Sequence, residues 1–95
     1  MIKEFTININ EDQLTNIKSK VEHYPWSSIE NMKAWTYGTN KKYLKELCDY
    51  WLKKFNWKKH EQLINSFKNY KTNVDGIDIH FIKEEGSGEN PKTLL

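Results

Sequence analysis

The chain of 95 residues contains one cysteine, no arginine and no long hydrophobic run. Cys48 alone excludes an internal disulfide framework and a zinc site built on several cysteines. The lack of arginine argues against nucleic-acid recognition, because arginine makes the bidentate contacts to phosphate and guanine. No apolar stretch approaches transmembrane length, and the first ten residues lack the layout of a secretory signal. We therefore expect a cytoplasmic protein that binds neither nucleic acid nor membrane.

Aromatic side chains are abundant: they make up 14% of the residues, with four Trp and five Tyr. Each large ring removes much apolar area from water when it is buried, which compensates for a short chain. Hydrophobic residues at 37% and charged residues at 29% favour a folded domain over disorder. The length predicts one domain, or a part of one.

Charge is unevenly distributed although the net charge is only +2. Residues 41–71 hold nine Lys against three acidic residues, a balance of +6, whereas residues 75–89 hold five acidic residues against one Lys, a balance of −4. Such segments are expected to lie beside each other or beside a partner. The many Lys, Asn and Ile residues are also what an AT-rich coding bias produces.

The first half of the chain predicts a short strand followed by two helices. Residues 2–9 alternate apolar and polar side chains, which is typical of a half-buried strand. Asn10 is positioned to cap a first helix that Pro25 ends. The aromatics of residues 25–39 predict a loop pinned to a surface. Residues 41–55 predict the second helix, apolar on so much of its circumference that we expect it to be covered on more than one side, with Trp51 largely buried.

The second half predicts a third helix over residues 57–67 and then a β-hairpin. Asp75-Gly76 lies between two runs of alternating apolar residues, which is a strong signal for a type I′ turn. Residues 84–95 are expected to form a flexible loop and the start of a strand that the end of the chain truncates. The predicted class is α+β: a short N-terminal strand, three helices and a C-terminal β-hairpin.

The reactive side chains do not form an obvious active site. Cys48 lies among the apolar residues of the second helix and is interpreted as a small buried hydrophobe. The three His residues have no metal-site spacing. His80 and Asp78 share one face of a strand, which indicates either an acid–base pair or, more often, a surface ion pair. We predict no catalytic, cofactor-binding or metal-binding residue, and no cofactor.

An ordered series of short motifs is more specific than any single residue. It runs Trp35-Thr36-Tyr37-Gly38-Thr39, Tyr43-Leu44-Lys45-Glu46-Leu47, Tyr50-Trp51, Phe55-Asn56-Trp57, Glu61, Ile64-Asn65, Phe67 and Val74-Asp75-Gly76-Ile77-Asp78-Ile79-His80-Phe81. This series resembles the N-terminal region of microsomal-type epoxide hydrolases, which belong to the α/β-hydrolase superfamily. The residues assigned to the family motif are Trp35, Tyr37, Gly38, Thr39, Tyr43, Leu44, Leu47, Trp51, Trp57, Asp75, Gly76 and His80.

The resemblance implies a structural role. In that family, the catalytic aspartate, its histidine and acidic partner, two tyrosines and a His-Gly-Trp-Pro motif all follow this region, so none of them maps onto this chain. The parent reaction would be hydrolysis of an epoxide to a diol. Residues 1–83 would be the N-terminal domain, and its partner would be an α/β-hydrolase catalytic core, in cis or as a separate chain.

Two other interpretations remain open. One is a freestanding interaction module derived from that domain. The other is a small domain that binds an acidic partner through residues 41–71. Because the predicted hairpin leaves an open edge, we also expect a homodimer.

Overall fold

A computed structural model of the chain describes residues 1–31 and 33–95. Met32, which falls within the loop predicted over residues 25–39, lies outside the described residues. In chain order the elements are β1 (Lys3–Glu4), α1 (Glu11–Glu22), a short 3₁₀ turn (Trp26–Ser28), α2 (Lys41–Lys53), α3 (Trp57–Asn65), β2 (Asn69–Val74) and β3 (Ile77–Ile82). The predicted α+β class is confirmed.

The chain divides into two compact units. One, the sheet unit, contains residues 1–8 and 58–95, and the other, the helical unit, contains residues 9–57. The sheet unit has three antiparallel strands in the order β1-β2-β3. The helical unit holds α1, the 3₁₀ turn and α2.

The hairpin that joins β2 to β3 follows the sequence prediction. Asp75 and Gly76 both have positive φ, at 51° and 83°, as a type I′ turn requires. Asn73 stabilises the turn, because its Oδ1 accepts a hydrogen bond from the Gly76 N–H at 3.0 Å and its Nδ2 donates to Asp78 at 2.9 Å. The turn is therefore fixed by local chemistry within six residues.

The first strand is much shorter than predicted. Only Lys3–Glu4 pair with β2, although the Phe5 N–H still donates to the Asn69 carbonyl. Ile7 then pairs with a side chain in place of a strand: its N–H donates to Asn65 Oδ1 at 2.9 Å, and its carbonyl accepts from Asn65 Nδ2 at 2.7 Å. The Asn65 amide thus takes the place of a neighbouring strand, because it supplies both a donor and an acceptor. The backbone N–H and carbonyl of Ile7 are hydrogen-bonded although β1 does not extend that far.

Replacement of Asn65 by Ala is expected to lower the free energy of unfolding by about 1–2 kcal/mol, since two hydrogen bonds are lost and each contributes about 1 kcal/mol. Urea denaturation followed by circular dichroism measures the change. Asn16→Ala is the control, because Asn16 is exposed on α1 and its replacement removes no contact of this kind. Equal stability of the two variants would show that the Asn65 pairing contributes nothing.

The helical unit begins at the predicted cap. The Asn10 side chain accepts a hydrogen bond from the Gln13 N–H at 2.8 Å, and acidic residues in the first turn of α1 favour its N-terminal dipole. The helix ends at Glu22, before Pro25, with His23 as its C-cap. Both ends of α1 therefore have a local chemical cause.

The loop before α2 is held mainly by polar contacts. Tyr37 is 84% exposed, so the expectation that aromatic side chains pin this loop is wrong for that residue. Asn40, the N-cap of α2, accepts a hydrogen bond from the Tyr43 N–H and also donates one to the carbonyl of Ala34, which has a φ of 57°. The Lys41 ammonium donates to the Ile29 carbonyl at 2.8 Å. Residues at the start of α2 thus fasten the loop that precedes it.

Helices α2 and α3 both end two residues earlier than predicted. The Tyr50 carbonyl accepts hydrogen bonds from the N–H groups of both Lys54 and Phe55, which closes the last turn of α2. After α3, the Ser66 hydroxyl donates to the Leu63 carbonyl at 2.6 Å and the chain turns toward β2. Apolar spacing continues past both ends, and it therefore overestimates helix length.

A hydrophobic core is not formed by the part of the chain that the structure describes. Its only buried side chains are polar, Glu61 and Asn69. The prediction that Trp51 is largely buried is wrong, since this residue is 40% exposed.

The C-terminal residues 84–95 are exposed and have no regular secondary structure. The start of a strand that the sequence predicts within them therefore stays a prediction.

Candidate functional site

No candidate metal centre is found within residues 1–31 and 33–95: no three or more His, Cys, Asp or Glu side chains are grouped suitably for an ion. Over the same residues, no helix has both the length and the apolar character needed to span a bilayer. We therefore look for a functional site among the exposed surfaces and the polar contacts of each unit.

The expected pairing of Asp78 with His80 is wrong. Asp78 accepts a hydrogen bond from Asn73 across the hairpin, while His80 Nε2 lies 2.8 Å from Asn69 Oδ1. In the cross-strand register, Asn73 lies directly opposite Asp78, whereas Asn69 lies diagonally across from His80. The structure thus offers no acid–base pair at this position.

Asn69 connects three segments of the sheet unit. Its Nδ2 donates to the carbonyls of Ile64 and Phe67, both at 2.8 Å, so its Oδ1 is the atom directed at His80. The His80 ring also lies edge-on to Phe5, with centroids 5.3 Å apart. These contacts join the end of α3 to β3 and to the N-terminal segment, which gives His80 a structural role.

His23 and His80 are expected to adopt opposite neutral tautomers. A carbonyl oxygen only accepts, so His23 must donate from Nδ1 to the Ser19 carbonyl at 2.8 Å, whereas His80 must donate from Nε2 to Asn69. Two-bond ¹H–¹⁵N spectra of the neutral imidazoles distinguish the forms. Asn69→Ala should remove the preference of His80 and leave that of His23 unchanged; a His80 ring protonated on Nδ1 in the unaltered chain would contradict this geometry.

The helical unit contains an apolar cleft of about 310 Å³. Its lining is formed by Lys20, Val21, Tyr24, Trp26, Leu44 and Cys48. Tyr24 and Trp26 contact edge to face with centroids 4.8 Å apart. Cys48 is half-buried in this setting, which agrees with the interpretation of a small hydrophobic side chain.

Helix α2 has two apolar faces. The inner face, formed by Leu44, Cys48 and Leu52, is half-buried. The other face, which we call the outer stripe, is formed by Tyr43, Leu47, Tyr50 and Trp51. Between 40% and 52% of the surface of each of these residues is exposed to solvent. The ring of Trp35 lies on Tyr43 with centroids 5.3 Å apart and extends this stripe into the preceding loop. The expectation that α2 is covered on more than one side is therefore not met within the described chain.

The structure distributes the motif residues over both units. Trp35, Tyr37, Gly38 and Thr39 lie in the loop before α2, Tyr43, Leu44, Leu47 and Trp51 lie on α2, Trp57 begins α3, Asp75 and Gly76 form the turn, and His80 lies on β3. Sequence reasoning missed the roles of two asparagines, Asn69 and Asn65, although Asn65 stands within the ordered motifs. Their signal was weak, because Asn was attributed to coding bias and its partners lie elsewhere in the chain.

An α+β chain with exposed apolar faces is typical of a segment that contacts another protein surface. The family profile described as Epoxide hydrolase N terminus matches residues 2–95. The chain therefore belongs to the epoxide hydrolase N-terminus family. The resemblance inferred from the ordered motifs is confirmed.

Curated relatives agree with this assignment. The chain is 30% identical to Epoxide hydrolase 1 of Oryctolagus cuniculus, with 99% of this chain and 22% of that protein aligned. It is 35% identical to Juvenile hormone epoxide hydrolase 1 of Ctenocephalides felis, with 85% of this chain and 18% of that protein aligned. The chain thus spans about a fifth of the length of the curated relatives it matches.

Solved structures support the fold. The juvenile hormone epoxide hydrolase of Bombyx mori aligns with 95% of this chain and 22% of its own, at a TM-score of 0.82 and 22% identity. The epoxide hydrolase of Aspergillus niger aligns with 86% of this chain and 22% of its own, at a TM-score of 0.65 and 26% identity. The arrangement of strands and helices is that of the N-terminal part of these enzymes.

Proposed function

We propose that this chain is the N-terminal structural part of an epoxide-hydrolase-like α/β-hydrolase. The observation that carries the proposal is the family match over residues 2–95, together with the fifth of each relative that the chain covers. The catalytic part, in cis or as a separate chain, would then supply the residues that convert an epoxide to a diol. This chain would support that reaction without contacting the substrate.

The burial pattern supports the same proposal. A chain of this size that folds for itself is expected to bury some apolar side chains completely, but none of the described ones is buried. Apolar surface left in water is unfavourable by about 25 cal/mol per Å². A larger body that covers these faces would recover that free energy. The family motif residues would act in this role as packing and turn residues.

Enzymatic activity tests the proposal in two steps. The isolated chain is expected to hydrolyse no epoxide. A chimera, in which this chain replaces the aligned segment of the Ctenocephalides felis enzyme, is expected to turn over an epoxide that the parent enzyme accepts. The parent enzyme without its aligned segment is the control, and we expect it to be inactive.

Two results would contradict the proposal. One is turnover by the isolated chain that a point change within it abolishes. The other is a folded chimera with no activity beside an isolated chain that folds stably, which would favour the freestanding interaction module.

A homodimer and a cytoplasmic location stay predictions. β3 is an edge strand with exposed Ile77, Ile79 and Ile82, and such an edge favours pairing with a second copy when the chain is alone. Ile77→Lys is expected to shift sedimentation from dimer toward monomer at micromolar concentration, because an inserted charge opposes pairing of edges. Lys83→Gln, beyond the end of β3, is the control. A monomer before any substitution would exclude this dimer.

A further inference from the structure

The outer stripe of α2, defined above, is an exposed apolar feature that the fold of the helical unit does not explain. With Trp35 included, about half of each of its five side chains is exposed. A large aromatic side chain carries roughly 150–250 Å² of surface, so the exposed patch measures roughly 400–500 Å². Patches of this size on soluble proteins mark interaction sites.

We propose that the outer stripe, together with Trp35, is the surface through which the helical unit docks on the catalytic part of the enzyme. The inference rests on the proposed function and deepens it by assigning the contact to one helix face. The inner face of the same helix is already half-buried by its own unit. The outer face is therefore the one that α2 has available for a partner.

The occupant is inferred from the size of the relatives and from the chemistry of the stripe. Relatives carry about four fifths of their length beyond the segment that this chain matches, so the family supplies a large body for the contact. The stripe has no charged residue, and its polar side-chain atoms are the hydroxyls of Tyr43 and Tyr50 and the indole N–H of Trp51. It fits an uncharged apolar surface with hydrogen-bond partners at its edge.

The charges around the stripe disfavour an anionic membrane as the occupant. Helix α2 contains four Lys, of which Lys41 is bonded to the Ile29 carbonyl. The other three share the remaining face with Glu46 and Asp49, which leaves an excess of only one positive charge there. Binding to anionic lipid relies on an excess of Lys or Arg beside the apolar face. A protein surface is therefore the better match.

Thiol labelling tests the contact directly. In a Cys48→Ser background, Leu47→Cys places a thiol in the outer stripe and Lys45→Cys places one on the charged face of the same helix. We expect the Leu47→Cys thiol to react with a maleimide at least tenfold more slowly in the chimera than in the isolated chain. The Lys45→Cys thiol should react at the same rate in both. Mass spectrometry of the labelled peptides separates these sites from other cysteines.

Heat inactivation provides a second readout. Leu47→Gln keeps helix propensity nearly constant, so its effect reports the environment of the side chain. We expect it to inactivate the chimera about tenfold faster, equivalent to about 1.4 kcal/mol, and to leave the melting of the isolated chain unchanged. Lys45→Gln is the matched control and should change neither.

The outcomes separate this inference from the proposed function. A folded chimera with no activity, beside an isolated chain that folds stably, would defeat the proposed function, and the inference with it. An active chimera in which the Leu47→Cys thiol reacts as fast as in the isolated chain would overturn the docking surface alone. Slow, concentration-dependent labelling in the isolated chain would assign the stripe to contacts between copies, and protection only by anionic vesicles would assign it to a membrane; either result would overturn the inference.

Discussion

Helix α2 carries apolar side chains around most of its circumference, while its own unit covers only one side. The inner face rests beside the cleft that contains Val21 and Trp26, and the outer stripe remains in water. Aromatic surface that stays in water contributes no hydrophobic free energy to folding. This chain therefore has less to offset the conformational entropy that it loses on folding, which lowers its stability in isolation. The structure therefore depends on polar contacts where a larger domain would depend on a core.

Asparagine supplies many of those contacts. Asn10 and Asn40 cap the first two helices, Asn65 pairs with the backbone of Ile7, Asn69 joins α3 to His80, and Asn73 closes the hairpin turn. An amide has a donor and an acceptor at one end of a short side chain, so one residue can satisfy two backbone groups. What composition alone attributes to coding bias is, at these positions, a means of holding extended and turning backbone in place.

Membership of the epoxide hydrolase N-terminus family gives these features a common context. A segment that is folded locally by caps, turns and amide pairs can present apolar faces to a larger body without needing a closed core of its own. The charged face of α2 and the loop of residues 84–95 are exposed in this chain, which suits their polar composition. Under the proposed function, chemistry and support would be divided between two parts of one enzyme.

The sequence predicted correctly those features that depend on interactions between residues close together in the chain. The cap at Asn10 and the turn at Asp75-Gly76 depend on atoms within a few residues of each other, so their residue types identify them. The ordered motifs also identified the family, because several independent spacings agree. Helix ends were predicted less well, since apolar spacing continues into the turns that follow α2 and α3.

Tertiary structure alone decided the rest. The length of β1 depends on Asn65, which is 58 residues away from Ile7, and no local pattern indicates that pairing. The partner of His80 is Asn69 across the hairpin, and not the Asp78 that shares its strand face. The exposure of Trp51 likewise depends on which surfaces lie beside α2. Periodicity shows that a side chain is suited to burial, but only the arrangement of distant segments determines whether anything covers it.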